Sequence, residues 1–91
     1  MGERFEFDEL KSRSNLEKHG IDFQRAQRLW DGPVIRLRSR NRTEDRELVI
    51  GRIETHHWTA IVTRREEKIR IISVRRSRDE EKEIYDRHFC G

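Results

Sequence analysis

The feature that most constrains the fold is a change in hydrophobic periodicity at the only proline, Pro33. Before it, apolar residues recur at three- and four-residue steps, a spacing that places them on one side of a helix. Asp8 and Gly20 indicate the start and end of a first helix, and Asp22 can cap a second one that closes near Asp31. After Pro33, β-branched residues alternate with polar ones, which is typical of strands. The chain therefore predicts helices first and a sheet second.

Four strand-like segments follow this change. They cover residues 34–42, 46–54, 58–63 and 68–74. Residues 4–7 alternate like a short first strand, and Ser77 with Glu80 predicts a capping box for a last helix. We expect one α+β domain over residues 1–91, in which a short N-terminal strand and two helices precede a four-stranded antiparallel sheet and a C-terminal helix. The helices are expected to gather on one face of the sheet.

The kind and placement of charge indicate the class of ligand. Charged side chains make up 43% of the 91 residues, far above the ~25% of an ordinary domain. Arginine supplies 17 of the 21 basic residues, and its rigid fork of donors suits phosphate better than a lysine ammonium does. Residues 34–78 hold 13 basic and 6 acidic groups, so this segment is +7 in a protein of net charge +3. Such a segment favours a surface that binds a polyanion, and a solvated surface of ion pairs explains it about as well.

Several classes of protein are excluded by what the sequence lacks. No apolar run approaches the ~18 residues of a membrane span, and the charged start is unlike a signal peptide. Cys90 has no second cysteine to pair with, which excludes a disulfide framework within the chain. His56 and His57 are adjacent and point apart, and no carboxylate has ligand spacing to them. We therefore expect a cytoplasmic protein with no metal or other cofactor and no membrane partner.

Arginines cluster toward the end of the predicted sheet. They are Arg64, Arg65, Arg70, Arg75, Arg76 and Arg78. Arg70 interrupts the isoleucines of a central strand, where an unpaired charge is expensive, so it needs a partner or a functional cleft. An ion pair with Glu47, Glu54 or a helix carboxylate explains it nearly as well as a functional role does.

The start and first turns of the last helix hold further candidates. Arg75 and Arg76 stand beside its N-terminus, where they can hold a phosphate together with the helix dipole or be ordinary exposed charge. Tyr85, about two turns into the helix, can offer a hydroxyl or a ring on which a base stacks. It can equally belong to the core.

Two segments carry motifs in a specific order. Residues 5–33 contain the letters K-H-G, and residues 69–86 contain I-R-I-I-S-V-R-R. Together they resemble the BrnT family of bacterial toxins, and the resemblance runs from Phe5 to Tyr85. It implies a small RelE-like ribonuclease domain that inhibits translation and is neutralised by an antitoxin.

The resemblance also implies roles for individual residues. Cleavage without a metal requires the ribose 2′-OH to attack its own phosphate, so the protein must orient that phosphate, neutralise charge and move protons. The residues predicted to serve this reaction are Arg64, Arg70, Arg75, Arg76, Tyr85 and His19, with Arg64 in an assisting role. Those predicted to hold the flanking RNA are Lys11, Lys18, Arg36, Arg38 and Arg40. Proton transfer stays open among His19, Tyr85 and a strand glutamate such as Glu54.

Three positions depart from the family's pattern. Phe7 stands where a Trp is usual, and Val62 and Arg64 stand where a Tyr and a Glu are common. The alternative function is therefore a catalytically weak or inactive module that binds nucleic acid or antitoxin. The partners implied are RNA and a ribbon-helix-helix antitoxin, with operator DNA contacted only through the antitoxin and a toxin dimer allowed within that complex.

Overall fold

A computed structural model describes residues 4–38 and 46–89 of the chain. Its strands are β1 (Arg4–Glu6), β2 (Ile35–Arg38), β3 (Arg46–Ile53), β4 (His56–Arg65) and β5 (Lys68–Arg76). Its α-helices are α1 (Glu9–His19), α2 (Phe23–Ala26) and α3 (Asp79–Phe89), and a 3₁₀ helix (Gln27–Asp31) continues α2. None of these helices is long and apolar enough to cross a membrane. Of the predicted residues, Arg40 and Cys90 lie outside the described part.

The strands of the described part form one mixed sheet in the order β1-β5-β4-β3-β2. β2 to β5 pair antiparallel, whereas β1 joins the outer edge of β5 in parallel, with Phe5 opposite Ile69. The α+β class is confirmed, and the four predicted antiparallel strands are present, but the sheet is mixed because β1 joins it as a fifth, parallel strand. Phe5 packs edge-on against Trp30, with ring centroids 4.9 Å apart. This contact holds β1 beside β5. The alternation of residues along a strand does not show whether the strand runs parallel or antiparallel to its neighbour, so the direction of β1 was not predicted.

The caps predicted for the first two helices are confirmed. The Asp8 carboxylate accepts hydrogen bonds from two backbone N–H groups of the first turn of α1, at 2.8 and 3.3 Å. Asp22 accepts one from the first turn of α2 at 2.8 Å. Gly20 ends α1 with a φ of 80°, a left-handed conformation that glycine adopts at little cost. The second helix is shorter than predicted, because the backbone tightens into the 3₁₀ helix after Ala26.

The main hydrophobic core lies between the sheet and the helices that precede β2. It consists of Ile21, Phe23, Ala26, Leu29, Val49, Ile53, Trp58, Ala60, Val62, Ile69, Ile71 and Val74. A Cβ added to Gly51 would stand 3.0 Å from Cδ2 of Leu29 and 3.1 Å from Cγ1 of Val34. Glycine at this position of β3 therefore lets the 3₁₀ helix approach the sheet closely.

The last helix, α3, packs on the opposite face of the sheet. His57 and Thr59 of β4 contact α3, whereas Trp58 and Ala60 belong to the main core, and neighbouring strand residues point to opposite faces. The prediction that all helices gather on one face is therefore wrong. Its physical reason is that the sheet carries apolar residues on both faces, and α3 covers the second with Tyr85, which is 4% exposed.

Candidate functional site

A row of polar side chains crosses the sheet on the face that carries α3, at the end beyond that helix. Arg46 of β3, Thr63 of β4 and Arg70 of β5 are direct cross-strand neighbours, so their side chains share one face. They help to line a cleft of about 410 Å³. Its lining residues are Lys11, Arg46, Thr63, Arg64, Arg65, Arg70 and Ile72. We call it the basic cleft, because five of these seven residues are cations and such a concentration attracts polyanions.

Arg70 has a partner, as its place among isoleucines predicts. Its Nη1 lies 3.9 Å from a carboxylate oxygen of Glu6, which the parallel register of β1 places opposite it. The partners suggested by the sequence were Glu47, Glu54 or a helix carboxylate, and these were wrong because the direction of β1 was not foreseen. The long contact and the 33% exposure of the Arg70 side chain leave guanidinium N–H groups for a ligand.

A smaller cleft of about 170 Å³ adjoins the basic cleft and shares Lys11 and Ile72 with it. Its lining residues are Lys11, Ser14, Asn15, Lys18, His19, Ile72 and Ser73. Helix α1 forms one wall, since residues seven apart lie two turns apart on the same side of a helix. Of the residues predicted for catalysis or RNA binding, the two clefts bring together Lys11, Lys18, His19, Arg64 and Arg70.

Asn15 attaches α1 to β5 and so fixes the wall between the clefts. Its Nδ2 donates to the carbonyls of Ile21 and Val74, at 2.8 and 2.9 Å. Its Oδ1 accepts from the backbone N–H of Val74 at 3.2 Å. The amide therefore pairs the part of the β5 edge that short β1 does not reach, where unpaired backbone groups would be costly.

Arg75 is bound in an ion pair rather than facing either cleft. Its Nη1 and Nη2 donate to the two carboxylate oxygens of Glu81, at 2.7 and 2.9 Å. Glu81 is 7% exposed and also accepts from Thr59 Oγ1 at 3.0 Å and from the N–H of Arg78 at 2.7 Å. Burial raises the pKa of Glu81, but the hydrogen bonds and the charge of Arg75 outweigh it and lower that pKa to about 2. The hydrogen bond from Arg75 to Glu81 raises the pKa of Arg75, so both groups stay charged.

The capping box predicted from Ser77 and Glu80 is displaced by one residue. Glu81, not Glu80, accepts from the backbone N–H of Arg78, the residue before α3 begins. The Ser77 hydroxyl instead shares a hydrogen bond of 2.8 Å with Thr59 Oγ1. The displacement arises because the carboxylate that caps the helix is also the partner of buried groups on the sheet, a tertiary constraint that local spacing does not show.

Arg76 lies on the face of the sheet opposite Arg75. Its guanidinium carbon stands 5.4 Å from the ring centroid of Trp58, a cation–π distance. The prediction ended the strand at residue 74, whereas β5 continues to Arg76, and alternation along the strand turns these two neighbours apart. The structure therefore does not gather Arg75 and Arg76 with Arg70 around one phosphate, and the catalytic roles of Arg75 and Arg76 stay predictions.

Tyr85 serves the contact between α3 and the sheet. Its hydroxyl donates to the carbonyl of Pro33 at 3.2 Å. Its ring packs edge-on against His57 with centroids 5.3 Å apart, and Nε2 of His57 lies 2.9 Å from a carboxylate oxygen of Asp86. Tyr85 lines neither cleft, and its catalytic role also stays a prediction.

The arginines of β2 lie at the other edge of the sheet. Arg36 and Arg38 are exposed and alternate with half-buried Ile35 and Leu37, which confirms the arginine-lined side for the described part of this segment. Arg36 lines a groove of about 550 Å³ between β2 and α3. Neither Arg36 nor Arg38 is among the residues that line the basic cleft or the smaller cleft.

Arg46 is a cleft residue that sequence reasoning missed. A signal for it existed in the two-residue turns at residues 54–55 and 66–67, since a short turn sets the register of the strands that it joins. Counting outward from the two turns places Arg46 opposite Thr63 and Thr63 opposite Arg70.

Comparison with known families shows which proteins the chain is similar to. The model of a family described as the ribonuclease toxin BrnT of type II toxin-antitoxin systems matches residues 7–81. The chain belongs to the BrnT family. Its members are toxins that act with an antitoxin, as the name of such a system states. No curated protein matches the chain.

Two of the three departures from the BrnT pattern fall in the core. Phe7 packs edge-on against Phe23 with ring centroids 5.8 Å apart, and Val62 is 1% exposed. Arg64 lines the basic cleft, and its Nε lies 3.4 Å from a carboxylate oxygen of Glu47. Of these three positions, only Arg64 is therefore placed to contact a ligand in that cleft.

The two clefts offer cations, hydroxyls and one imidazole. Among their lining residues, His19 of the smaller cleft is the one that carries an imidazole. Residues 4–38 and 46–89 contain no group of three His, Cys, Asp or Glu side chains that could hold a metal ion. The arrangement can bind and neutralise a phosphate in the basic cleft and place an imidazole in the adjoining smaller cleft.

Proposed function

We propose that this BrnT-family protein is an endoribonuclease that cleaves RNA without a metal ion and thereby inhibits translation in the cytoplasm. The observation that carries the proposal is the basic cleft, in which five cations surround a space of about 410 Å³. Arginine forks match phosphate oxygens in pairs. The adjoining smaller cleft supports a substrate longer than one nucleotide, because a strand that enters one cleft meets Lys11 at the boundary of the other.

The reaction assigned to this site is an internal phosphoryl transfer. The ribose 2′-oxygen bonds to phosphorus and the bond from phosphorus to O5′ breaks, which leaves a 2′,3′-cyclic phosphate and a 5′-hydroxyl. Arg46 and Arg70 contact the non-bridging oxygens and stabilise the charge that develops on them. His19 is the group proposed to move a proton, since the 2′-OH loses one and O5′ gains one during the exchange.

The test compares Arg70→Ala with a matched arginine variant. Arg52 is exposed, belongs to the same strand as Arg46 and lies at its other end, so Arg52→Ala makes the same change in net charge outside the cleft. Each protein is incubated with a structured RNA in EDTA, and the new 3′ ends are identified. We expect cyclic phosphate ends from the parent and from Arg52→Ala. The cleavage rate of Arg70→Ala should be lower than that of the parent by a factor of about 100 or more. Equal rates for the two variants, or cleavage only after metal is added, would contradict the proposal.

The proposed protein partner is a ribbon-helix-helix antitoxin, through which alone the toxin reaches operator DNA. A cationic cleft favours an acidic partner, because complementary charge speeds association and selects against other proteins. Co-expression with the antitoxin should relieve growth arrest, and light scattering should show two toxin chains in the complex. A DNA shift produced by the toxin alone would contradict this assignment.

A catalytically weak or inactive binding module is the second candidate. It is favoured by the lining of the basic cleft, which contains cations, Thr63 and Ile72 but neither an imidazole nor a carboxylate. This candidate predicts RNA binding with no new ends, and a graded loss of affinity as successive arginines are removed.

A further inference from the structure

The two adjoining clefts differ in chemistry. The basic cleft has five cations among its seven lining residues, whereas the smaller cleft has two lysines, two serines, an asparagine, a histidine and an isoleucine. Cations predominate where a protein holds phosphates, whereas bases are read by donors and acceptors, hydroxyls and amides among them, that meet base edges. The smaller cleft therefore has the composition of a base site rather than of a second phosphate site.

The polar groups of the smaller cleft are partly fixed and partly free. The side-chain amide of Asn15 is hydrogen-bonded to the backbone of Ile21 and Val74, so it is not available to contact a ligand. The Ser73 hydroxyl donates to Asn15 Oδ1 at 3.4 Å, which directs its proton away and leaves its oxygen as an acceptor. Among the residues that the structure describes, the exposed Ser14 hydroxyl has no hydrogen-bond partner. Ser14 and Ser73 thus offer hydrogen bonds from opposite walls, one on α1 and one on β5.

Ile72 completes the site. It is half-buried and lines both clefts. It is the extra residue of a β-bulge in β5, because its neighbours Ile71 and Ser73 pair with consecutive residues of β4. A bulge of this kind re-aims side chains next to a site. The aliphatic side chain of Ile72, between the basic cleft and the smaller cleft, can pack against the flat, apolar face of a base.

We propose that the smaller cleft binds the base of a single-stranded nucleotide adjoining the phosphate in the basic cleft, and that Ser14 and Ser73 read its edge. The toxin would then prefer certain bases next to its phosphate. This inference rests on the proposed function for its ligand, since splayed single-stranded bases are what proteins read in RNA by sequence. Ser14 and Ser73 are specificity residues here, and Asn15 is a positioning residue that orients Ser73.

The experiment measures binding of labelled oligo(A), oligo(C), oligo(G) and oligo(U) of equal length to the full chain. Ser14→Ala removes the free hydroxyl from an exposed helix position, where alanine is the better helix former. Thr55→Ala is the matched control, because it removes an exposed hydroxyl from the β3–β4 turn, outside both clefts. We expect the parent and Thr55→Ala to share one order of affinities. Ser14→Ala should bind the preferred oligonucleotide about five- to tenfold more weakly, the loss of roughly one hydrogen bond.

Each outcome decides between the two proposals. Four equal affinities in the parent, or a Ser14→Ala variant that binds the preferred oligonucleotide as tightly as the parent does, would overturn the base site. If Arg70→Ala weakens all four oligonucleotides and the base order depends on Ser14 but no RNA is cleaved, the base site stands and the nuclease proposal fails. Cleavage by the parent at random sequences, with no base order in binding, gives the reverse result.

Discussion

Glu81 joins the last helix to the sheet through four hydrogen bonds, two from Arg75 and one each from Thr59 and the N–H of Arg78. Burial opposes the charge on this carboxylate, but the hydrogen bonds outweigh it and lower the pKa of Glu81 from 4.5 to about 2. Between these values the unfolded chain binds a proton that the folded chain does not. The stabilisation from Glu81 is therefore fully present above pH 4.5 and is lost as the pH falls toward 2.

The pH dependence of unfolding tests this account of Glu81. We expect the Tm of the parent to fall more steeply with acid than the Tm of Glu81→Gln, because the glutamine takes up no proton. Glu80→Gln, at the exposed neighbouring position, should follow the parent. Circular dichroism melts at half-unit steps of pH measure the slopes, and parallel slopes for the parent and Glu81→Gln would refute the assignment.

Arg75 carries a stability prediction as well as its catalytic one. Arg75→Ala leaves the buried Glu81 charge without its partner, which should cost about 3 kcal/mol in the free energy of unfolding. Replacing both residues, as in Arg75→Met with Glu81→Leu, should restore most of the free energy of unfolding that the single variant loses. Urea unfolding measures both effects, and a loss below about 1 kcal/mol for the single variant would show that the pair is weak. RNA cleavage by the folded double variant would contradict the catalytic role predicted for Arg75.

At the scale of elements, the turn between β4 and β5 is strained at Glu66. Its φ is 56°, a left-handed conformation that costs a residue with a side chain roughly 1–2 kcal/mol. Glu66→Gly should therefore raise the free energy of unfolding by about 1 kcal/mol. The relief of steric strain in the folded state outweighs the conformational entropy that glycine adds to the unfolded chain.

The adjacent turn residue provides the control. Glu67 does not have a positive φ, so Glu67→Gly adds only chain entropy to the unfolded state and should lower the free energy of unfolding by about 0.5–1 kcal/mol. Urea unfolding of the two variants beside the parent gives the comparison. The same sign for both variants would show that the backbone at Glu66 is not the source of the difference.

The elements that sequence reasoning found are those whose determinants are local. Asp8, Asp22 and Gly20 act on backbone within a few residues of themselves, so their spacing was sufficient. The pairing of β1 with β5 and the capping role of Glu81 depend on residues far away in sequence. Periodicity shows which residues of a strand share a face, but not which strand lies beside it or in which direction.

The candidate site divides in the same way. Arg70 was singled out correctly as a residue needing a partner or a cleft, because a charge among isoleucines is a local anomaly. Its neighbour Arg46 was missed, since only the register of β3 with β4 brings it close. The predicted grouping of Arg75 and Arg76 with Arg70 is not found, because β5 is two residues longer than predicted. Both arginines therefore belong to the strand and point to opposite faces, Arg75 toward α3 and Arg76 toward Trp58.

For the whole molecule, the net charge of +3 understates the charge that RNA would meet. Five cations line the basic cleft, and each phosphate contact on single-stranded RNA adds about −0.7 to the slope of log K against log salt. Full engagement of the cleft predicts a slope of about −3.5. Arg70→Ala should reduce its magnitude by about 0.7, and Arg52→Ala should leave it unchanged. Fluorescence anisotropy across a series of KCl concentrations measures the slopes, and a salt-independent affinity would exclude the cleft as the binding surface.

The parallel pairing of β1 with β5 determines when this toxin becomes complete during its own synthesis. Glu6 meets Arg70, and Asn15 meets Val74, across about two thirds of the chain's length. A nascent chain that still lacks β5 has α1 but no opposite wall, so neither cleft exists while the C-terminal third is inside the ribosome. Contacts of such long sequence separation form late, because the closure of a long loop precedes any energy gained from them. The two clefts therefore form only after β5 has left the ribosome and paired with β1, so a nascent chain without β5 cannot present them to RNA.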